Sequence, residues 1–145
     1  MAYKWNPFTG NLDFYTSDAL SAQVLVLKRL ANETISAMKV VYLDTPDTCK
    51  EAGYETEDQS TAIGIAMNAG QAGDEIKILS FGIVEDPFFQ FDLNIPLFLG
   101  SDGYIISGEE LEEQRLLGNA EWGTYLGYGL GTNRIYVKIE RSIKL

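Results

Sequence analysis

Histidine is absent from this sequence. Its absence removes the commonest general base, the commonest metal ligand and the usual pH switch of proteins. A Ser-His-Asp triad is therefore excluded, and the sequence also has no Gly-x-Ser-x-Gly elbow. Together these absences argue against nucleophilic hydrolysis.

Cysteine is nearly absent as well. The single Cys49 excludes an internal disulfide and a cysteine-based zinc site. It stands in the turn-like stretch Thr-Pro-Asp-Thr-Cys-Lys (45–50), which lacks the electropositive neighbourhood of a reactive cysteine. We expect an incidental thiol and a reducing compartment.

Basic residues and long apolar runs are also scarce. The chain has 11 Lys and Arg against 21 Asp and Glu, a net charge of −10. Nucleic-acid binding needs a basic face, so no nucleic-acid partner is expected. No apolar run approaches the ~18 residues of a membrane span, so no membrane partner is expected either. A chain of 145 residues, 46% of them apolar, predicts one globular domain.

The most distinctive feature that is present is an aromatic N-terminus. Residues 1–15 hold five aromatic residues and the turn Pro-Phe-Thr-Gly (7–10). This segment lacks the continuous apolar core of a signal peptide, and it is too aromatic for an ordinary disordered tail. We predict that residues 1–18 form an extended docking arm that becomes ordered on a partner, followed by a single barrel-like domain over 19–145.

The sequence of residues 19–145 predicts an all-β, mainly antiparallel fold, either a small β-barrel or a sandwich. Alternating and β-branched residues predict strands at 23–30, 35–43, 61–67, 75–82, 88–93, 96–99, 104–107, 124–130 and 134–140. A helix over 20–38 is the competing interpretation, because Leu20, Val24, Leu27 and Ala31 share helical spacing. The acidic stretch 44–59 predicts a loop.

One short helix is predicted near 109–117. Ser107 is able to cap it, glutamates favour its first turn and Gly118 ends it. A helix of about nine residues needs tertiary packing to be stable, which we expect through Leu111 and Leu116 or Leu117.

Two parts of the chain resemble each other as glycine-bearing hairpins. Residues 63–78 and 126–139 each contain a strand with glycine, a Gly/Asn turn and an alternating strand. Glycine weakens a strand unless another backbone packs closely there or the strand bends. The pattern predicts a small closed or nearly closed barrel with glycines at its corners; chance similarity is the alternative.

Carboxylates are the candidate catalytic groups. Glu85, Asp86 and Asp92 flank a phenylalanine cluster and could form a glycosidase pair, but a solvated loop beside core phenylalanines is favoured. The acidic stretch 44–58 misses the spacing of a calcium loop, and the glycine-rich pieces 64–73 and 123–131 lack the ending of a phosphate loop. We therefore expect no catalytic residue, no cofactor and no metal, and hence no enzyme.

Three aromatic residues near the C-terminus provide an alternative of another class. Trp122, Tyr125 and Tyr128 are able to stack on a sugar, as in a carbohydrate-binding module. Packing in the core or at an interface is favoured for them.

The arm also carries a family resemblance. Lys4-Trp-Asn-Pro-Phe-Thr-Gly-Asn-Leu-Asp-Phe-Tyr15 resembles the start of many tailed-bacteriophage virion proteins, which open with a Trp-x-Pro-Phe-Thr-Gly-x-Leu-Asp-like peptide. The domain is similar to small phage head-decoration (cement) and fibre-associated proteins at 35–44, 62–66, 73–76, 81–84, 96–103, 126–129 and 135–139. The acidic helix near 109–117 replaces a Pro/Thr-rich loop of that pattern and the 45–58 loop is longer, so head and tail attachment both stay open.

The resemblance implies a non-enzymatic structural protein of the virion, assembled in the host cytoplasm. A capsid decoration or cement subunit is the leading interpretation, and a tail or fibre adaptor is the alternative. The expected partners are the major capsid protein or another virion protein, and further copies of the chain in a homo-oligomer, with a trimer favoured. The expected docking residues are Trp5, Pro7, Phe8, Gly10, Leu12, Phe14 and Tyr15. An arm that folds back onto its own domain is the other alternative.

Overall fold

The computed structural model describes residues 5–6, 11–12 and 24–145. Its strands are β1 (Trp5–Asn6), β2 (Asn11–Leu12), β3 (Leu25–Ala31), β4 (Val40–Thr45), β5 (Thr48–Glu51), β6 (Ala62–Ala66), β7 (Glu75–Glu85), β8 (Pro96–Leu99), β9 (Ile105–Ser107), β10 (Trp122–Gly123), β11 (Tyr125–Gly131), β12 (Arg134–Lys138) and β13 (Ile143–Lys144). Its α-helices are α1 (Glu57–Ser60) and α2 (Gly108–Leu116). None of the helices in these residues is long and apolar enough to cross a membrane.

Five of the strands close into a barrel. They follow the order β3-β5-β4-β6-β7, and β7 pairs back with β3 to complete the ring. The β3–β5 pair is parallel and the other four pairs are antiparallel. The barrel interior is a buried cluster of small and branched side chains: Ala31, Ile35, Val41, Cys49, Ala66, Ile76 and Ile78. The predicted all-β barrel is confirmed.

Strand β7 also belongs to a second sheet. It is 11 residues long, and its last five residues pair with β12, after which β11, β8 and β9 follow in order. The inner side of this extension packs against the outside of the barrel. The cluster between them includes Val40, Ile65, Leu79, Val84, Leu97, Leu99, Leu126, Ile135 and Val137. One strand is therefore shared between two cores.

Both predicted glycine hairpins form. Strand β6 pairs with β7, and β11 pairs with β12. At Gly64 an added Cβ would stand 2.5 Å from the carbonyl oxygen of Leu79, and at Gly127 it would overlap the carbonyl oxygen of Tyr136. Both glycines thus allow close approach of a neighbouring backbone, as their place inside strands indicated.

The region of the first strands differs in part from the prediction. The strand predicted over 23–30 is confirmed with bounds Leu25–Ala31, and the competing helix over 20–38 is wrong. The second strand begins at Val40 rather than at Ile35, because Ile35 makes only an isolated bridge to Gly70.

The acidic composition of 44–59 predicted a loop, and this prediction is wrong. It contains β5, whose Cys49 is buried inside the barrel. It also contains α1, where the side chain of Thr56 accepts a hydrogen bond from the Gln59 backbone N–H. Burial of one apolar side chain and one helix cap outweigh the local turn preference.

Residues 88–93 form a loop, so the strand predicted there is wrong. Asp86 accepts hydrogen bonds there from two backbone groups, the Phe88 N–H at its carboxylate and the Phe89 N–H at its carbonyl. These bonds turn the chain, and they let Phe89 pack into the core from a loop. Aromatic residues favour strands, but here the local hydrogen bond of the Asp86 side chain outweighs that preference.

Helix α2 forms as the capping residues at its two ends predict. The Ser107 hydroxyl accepts a hydrogen bond from the Glu110 N–H, and Gly118 takes a φ of +81° after the last turn. Leu111 is buried, but Leu116 and Leu117 are 71% and 70% exposed, so their predicted packing role is wrong. The helix is anchored through one leucine instead of two.

Candidate docking surface

The outer side of the extension sheet is an aromatic surface. Five side chains form it, here called the open aromatic face: Phe81, Ile83, Tyr125, Tyr128 and Tyr136. The rings of Tyr128 and Tyr136 stack at 5.2 Å, and Phe81 meets Tyr136 edge-on at 5.6 Å. Ile83 stands opposite Tyr136 in the sheet and is 52% exposed. The four aromatic side chains are half-buried, and an apolar patch of this kind on the outer side of a sheet is a candidate interaction surface.

Strand periodicity and one irregularity bring these residues together. Alternation in β7 and β12 sends Val84, Ile135 and Val137 to the core and the residues between them outward. In β11 the pairing with β8 shifts between Tyr125 and Gly127, so Tyr125 and Tyr128 share one side although they are three residues apart. The sequence does not predict this face, because a bulge cannot be placed from alternation alone.

Helix α2 covers one end of this sheet and leaves the rest open. Leu111 packs with Tyr54, Phe98 and Ile106 over strands β8 and β9. Phe98 in turn meets Tyr125 edge-on at 5.8 Å, at the border of the covered part. Burial raises the pKa of the Tyr125 hydroxyl, so this residue stays neutral well into the alkaline range.

Two cations lie on the open aromatic face. Arg134 and Lys138 occupy the positions on either side of Tyr136 along β12, and both are exposed. Glu85 stands directly opposite Arg134 in the sheet, and within residues 24–145 neither cation forms a salt bridge. The face therefore combines an aromatic centre with positive charge in a chain of net charge −10.

The N-terminal segment joins the domain at the edge of this face. The side chain of Val24 lies against Gly82, where an added Cβ would stand 2.6 Å from its Cγ1. Leu25 pairs with Phe81 and is 53% exposed. The continuously described part of the chain therefore begins next to strand β7, whose Phe81 and Ile83 belong to the open aromatic face.

A second apolar surface is a groove of about 410 Å³. Its wall includes Met38, Phe88, Phe89, Phe91 and Tyr104. Phe88 is 89% exposed at the rim, and the Lys39 ammonium lies 3.0 Å from the centre of the Tyr104 ring. Asp86 also lines the groove, and one of its carboxylate oxygens accepts a hydrogen bond from the Phe88 N–H.

The predicted docking residues fall almost entirely outside the described residues. Trp5 pairs with Leu12 and Asn6 with Asn11 in an antiparallel two-stranded sheet, with the predicted turn 7–10 between the strands. The docking roles of Trp5 and Leu12 stay a prediction. Pro7, Phe8, Gly10, Phe14 and Tyr15, and the arm boundary at residue 18, lie outside the described residues.

The carboxylate candidates have structural contacts in the fold. Glu85 is exposed at the end of β7, opposite Arg134, and Asp92 is exposed with its carbonyl accepting from the Ile95 N–H. In the acidic stretch, Asp44 accepts hydrogen bonds from Asn32 at 2.6 Å and Thr48 at 2.7 Å. Residues 24–145 contain no group of three or more acidic, histidine or cysteine side chains able to hold a metal ion.

The carbohydrate candidates are divided between two sheets. Tyr125 and Tyr128 lie on the open aromatic face, whereas Trp122 belongs to the separate pair β10–β13. The Trp122 ring has the Lys144 ammonium 6.0 Å from its centre. The three residues are near in sequence but do not share a strand.

Cys49 is buried inside the barrel, as expected for an incidental thiol. Burial raises the pKa of Cys49 to about 11, and the Asp44 carboxylate adds to the effect. We expect iodoacetamide at pH 8 to alkylate the folded protein at least about 100-fold more slowly than the urea-unfolded chain, because the thiolate is the nucleophile. Equal rates would contradict the buried position.

The same shift has a consequence for stability. The folded-state pKa of Cys49 lies above the ordinary value of 9.0. Its contribution to the free energy of unfolding is therefore complete below about pH 9 and lost as the pH rises towards about 11.

Comparison with known proteins identifies a shared fold. No protein-family model matches the chain, and no curated protein matches it. Among solved structures, the chain is similar to the N base of head fiber gp8.5 of bacteriophage phi29, with a TM-score of 0.50 and 15% sequence identity. The match covers 85% of this chain and 98% of that chain. The barrel with its sheet extension is thus a fold that this chain shares with the base of a phage head fibre.

Proposed function

We propose that this chain is a non-enzymatic structural protein of a bacteriophage virion. The observation that carries the proposal is the fold shared with a phage head-fibre base over 85% of the chain. The N-terminal peptide 4–15 supports it independently, since it resembles the opening of tailed-phage virion proteins. Function follows from a site rather than from a fold, so the proposal needs a test on particles.

Within that class we propose a capsid decoration or cement subunit that docks through its N-terminal segment. Trp5, Pro7 and Phe8 are residue types that serve as anchors in protein interfaces, and Trp5 lies in the paired strands β1 and β2. The partner would be the major capsid protein or another virion protein. A subunit that binds only the assembled particle stabilises it by mass action, without any chemistry.

The oligomeric state is a further element of this proposal. We propose a homo-oligomer, with a trimer favoured, because coat components usually follow the symmetry of their site. Sedimentation of the purified chain would give a mass of three chains. A single-chain mass at all concentrations would remove the oligomer from the proposal.

A fibre adaptor is the second candidate function. The observation that favours it is the name of the structural neighbour, a head fibre base. A carbohydrate-binding module is the candidate from another class, through Tyr125 and Tyr128, and it requires saturable binding on a glycan array. An array without signal would remove it.

The decisive experiment is the copy number of this protein per purified particle, measured against the major capsid protein. A decoration subunit gives a ratio near one per capsid subunit or a simple fraction of it. A few copies per particle would replace this role by that of a fibre or tail adaptor. Absence from particles would reject the virion proposal altogether.

A further inference from the structure

The groove that Phe88 borders has the size and lining of a site for an aromatic side chain. Phe89 and Phe91 form an aromatic pair in its wall, with ring centroids 6.1 Å apart. A dry cavity of about 150 Å³ holds one benzene ring. A groove of about 410 Å³ therefore accommodates an aromatic side chain together with part of the backbone that carries it.

The groove wall also contains a residue in an unfavourable backbone conformation. Met38 has a φ of +65°, which residues with a side chain rarely adopt, and its N–H donates to the Ala66 carbonyl oxygen at 2.7 Å. Residues held in this way are concentrated at binding sites, where the surrounding structure maintains them. The flexible thioether of methionine suits a wall that adapts to a ligand.

The rim of the groove carries carboxylates. Asp86 lies in the wall, and one of its oxygens accepts a backbone N–H of its own loop. Asp92 directly follows Phe91, and Asp102 comes two residues before Tyr104; both of these aspartates are exposed. An apolar groove with acidic groups around it selects a ligand that is apolar at its centre and basic on either side.

The positive charge at the groove is already engaged. Of the described residues that line it, Lys39 alone is cationic. Its ammonium lies 3.0 Å from the centre of the Tyr104 ring and donates to the Asp102 carbonyl oxygen at 3.3 Å. The acidic groups therefore determine which charge a ligand must bring to the rim.

We propose that the groove binds a segment of another protein in which an aromatic residue is flanked by lysine or arginine. The aromatic side chain fills the groove, and the flanking cations lie opposite Asp86, Asp92 and Asp102. The exposed ring of Phe88 provides a cation–π contact for one of them. A second copy meeting the groove through the same rim would bring like charges together, which favours a basic partner instead. This inference does not rest on the proposed function.

The test uses short synthetic peptides titrated into the isotope-labelled full chain, with binding followed by the NMR shifts of its backbone amides. The peptides share Gly-Ser flanks and differ at their centre, which reads Arg-Phe-Arg, Glu-Phe-Glu or Arg-Ser-Arg. We expect the Arg-Phe-Arg peptide to bind at least about tenfold more tightly than either of the others, because both the anchor and its charges are needed. The largest shifts should fall at Met38, Phe89, Phe91 and Tyr104.

Neutralising the rim tests the charges separately. Asp86→Asn/Asp92→Asn/Asp102→Asn should weaken binding of the Arg-Phe-Arg peptide about tenfold. Asparagine keeps a side-chain oxygen that accepts hydrogen bonds, and it tolerates the φ of +50° at position 102.

A charge control and a steric block complete the design. Glu109→Gln/Glu113→Gln/Glu121→Gln makes the same charge change at exposed positions that do not line the groove, and it should leave the affinity unchanged. Ala37→Trp places a large side chain at an exposed position of the groove wall, and it should abolish binding without disturbing the core.

Four results would overturn the proposal. Equal affinity for the Arg-Phe-Arg and Glu-Phe-Glu peptides would remove the role of the acidic rim. An equal loss in the glutamine control would assign the effect to net charge. Unchanged affinity in Ala37→Trp would place the peptide elsewhere on the domain. Shifts at Met38 and Phe91 that grow with protein concentration, without any peptide, would assign the groove to a second copy of the chain.

Discussion

Removal of residues 3–12 is expected to abolish binding of this protein to the phage particle, with at least a 100-fold loss of affinity. The deletion removes Trp5 and Phe8, and a few buried aromatic anchors carry most of the energy of a typical interface. It leaves the barrel intact, because β1 and β2 pair only with each other among the described strands. The measurement is the fraction of protein that pellets with particles over a range of concentrations.

The matched controls separate the arm from the domain. Trp5→Ala and Phe8→Ala should each weaken binding by tenfold or more. Phe88→Ala removes an aromatic side chain of the same kind that is 89% exposed on the domain, and it should leave binding unchanged. If the deletion binds as well as the original chain and Phe88→Ala loses binding, the docking site would instead be the apolar groove that Phe88 borders.

The largest expected stability effect is that of Gly127→Ala. Gly127 has a φ of +144°, which residues with a side chain rarely adopt, and its added Cβ would overlap the carbonyl oxygen of Tyr136. Relieving this overlap requires strands β11 and β12 to move apart. We expect a loss of about 3 kcal/mol in the free energy of unfolding, measured by urea denaturation.

Substitutions at two other glycines separate the cost of backbone strain from the cost of steric overlap. Gly73 has a φ of +94° with no atom within 4 Å of an added Cβ, so Gly73→Ala reports backbone strain alone, about 1 kcal/mol. Gly108→Ala meets only an ordinary contact at 3.5 Å from Phe98 and should be near neutral. Equal losses at Gly73 and Gly127 would show that the overlap contributes nothing.

Local signals in the sequence predicted those elements whose stability is local. Helix α2 follows from Ser107 at its cap and Gly118 at its end, and the β11–β12 hairpin from its Gly-Thr-Asn turn. In that turn Thr132 and Asn133 both have positive φ, the geometry of a tight hairpin with right-handed strand twist. Each of these features lies within a few residues of its cause.

Ring closure could not be predicted in this way. It depends on the parallel pairing of β3 with β5, through Leu30 with Thr48 and Ala31 with Cys49. No local pattern specifies that register, and the acidic residues around β5 favoured a loop. The open aromatic face was missed for a related reason: the bulge in β11 changes which side Tyr128 occupies, and only the neighbouring strand reveals it.

The strand shared by both cores also determines how the domain carries mechanical load. Tension applied to the N-terminal segment enters at β3, which is held to β7 by six residue pairs from Leu25–Phe81 to Leu30–Glu75. When the pull acts along β3, these pairs are sheared together rather than opened one after another. β7 then passes the force into the barrel and the extension sheet at once, so a pull on the N-terminal segment loads both cores together.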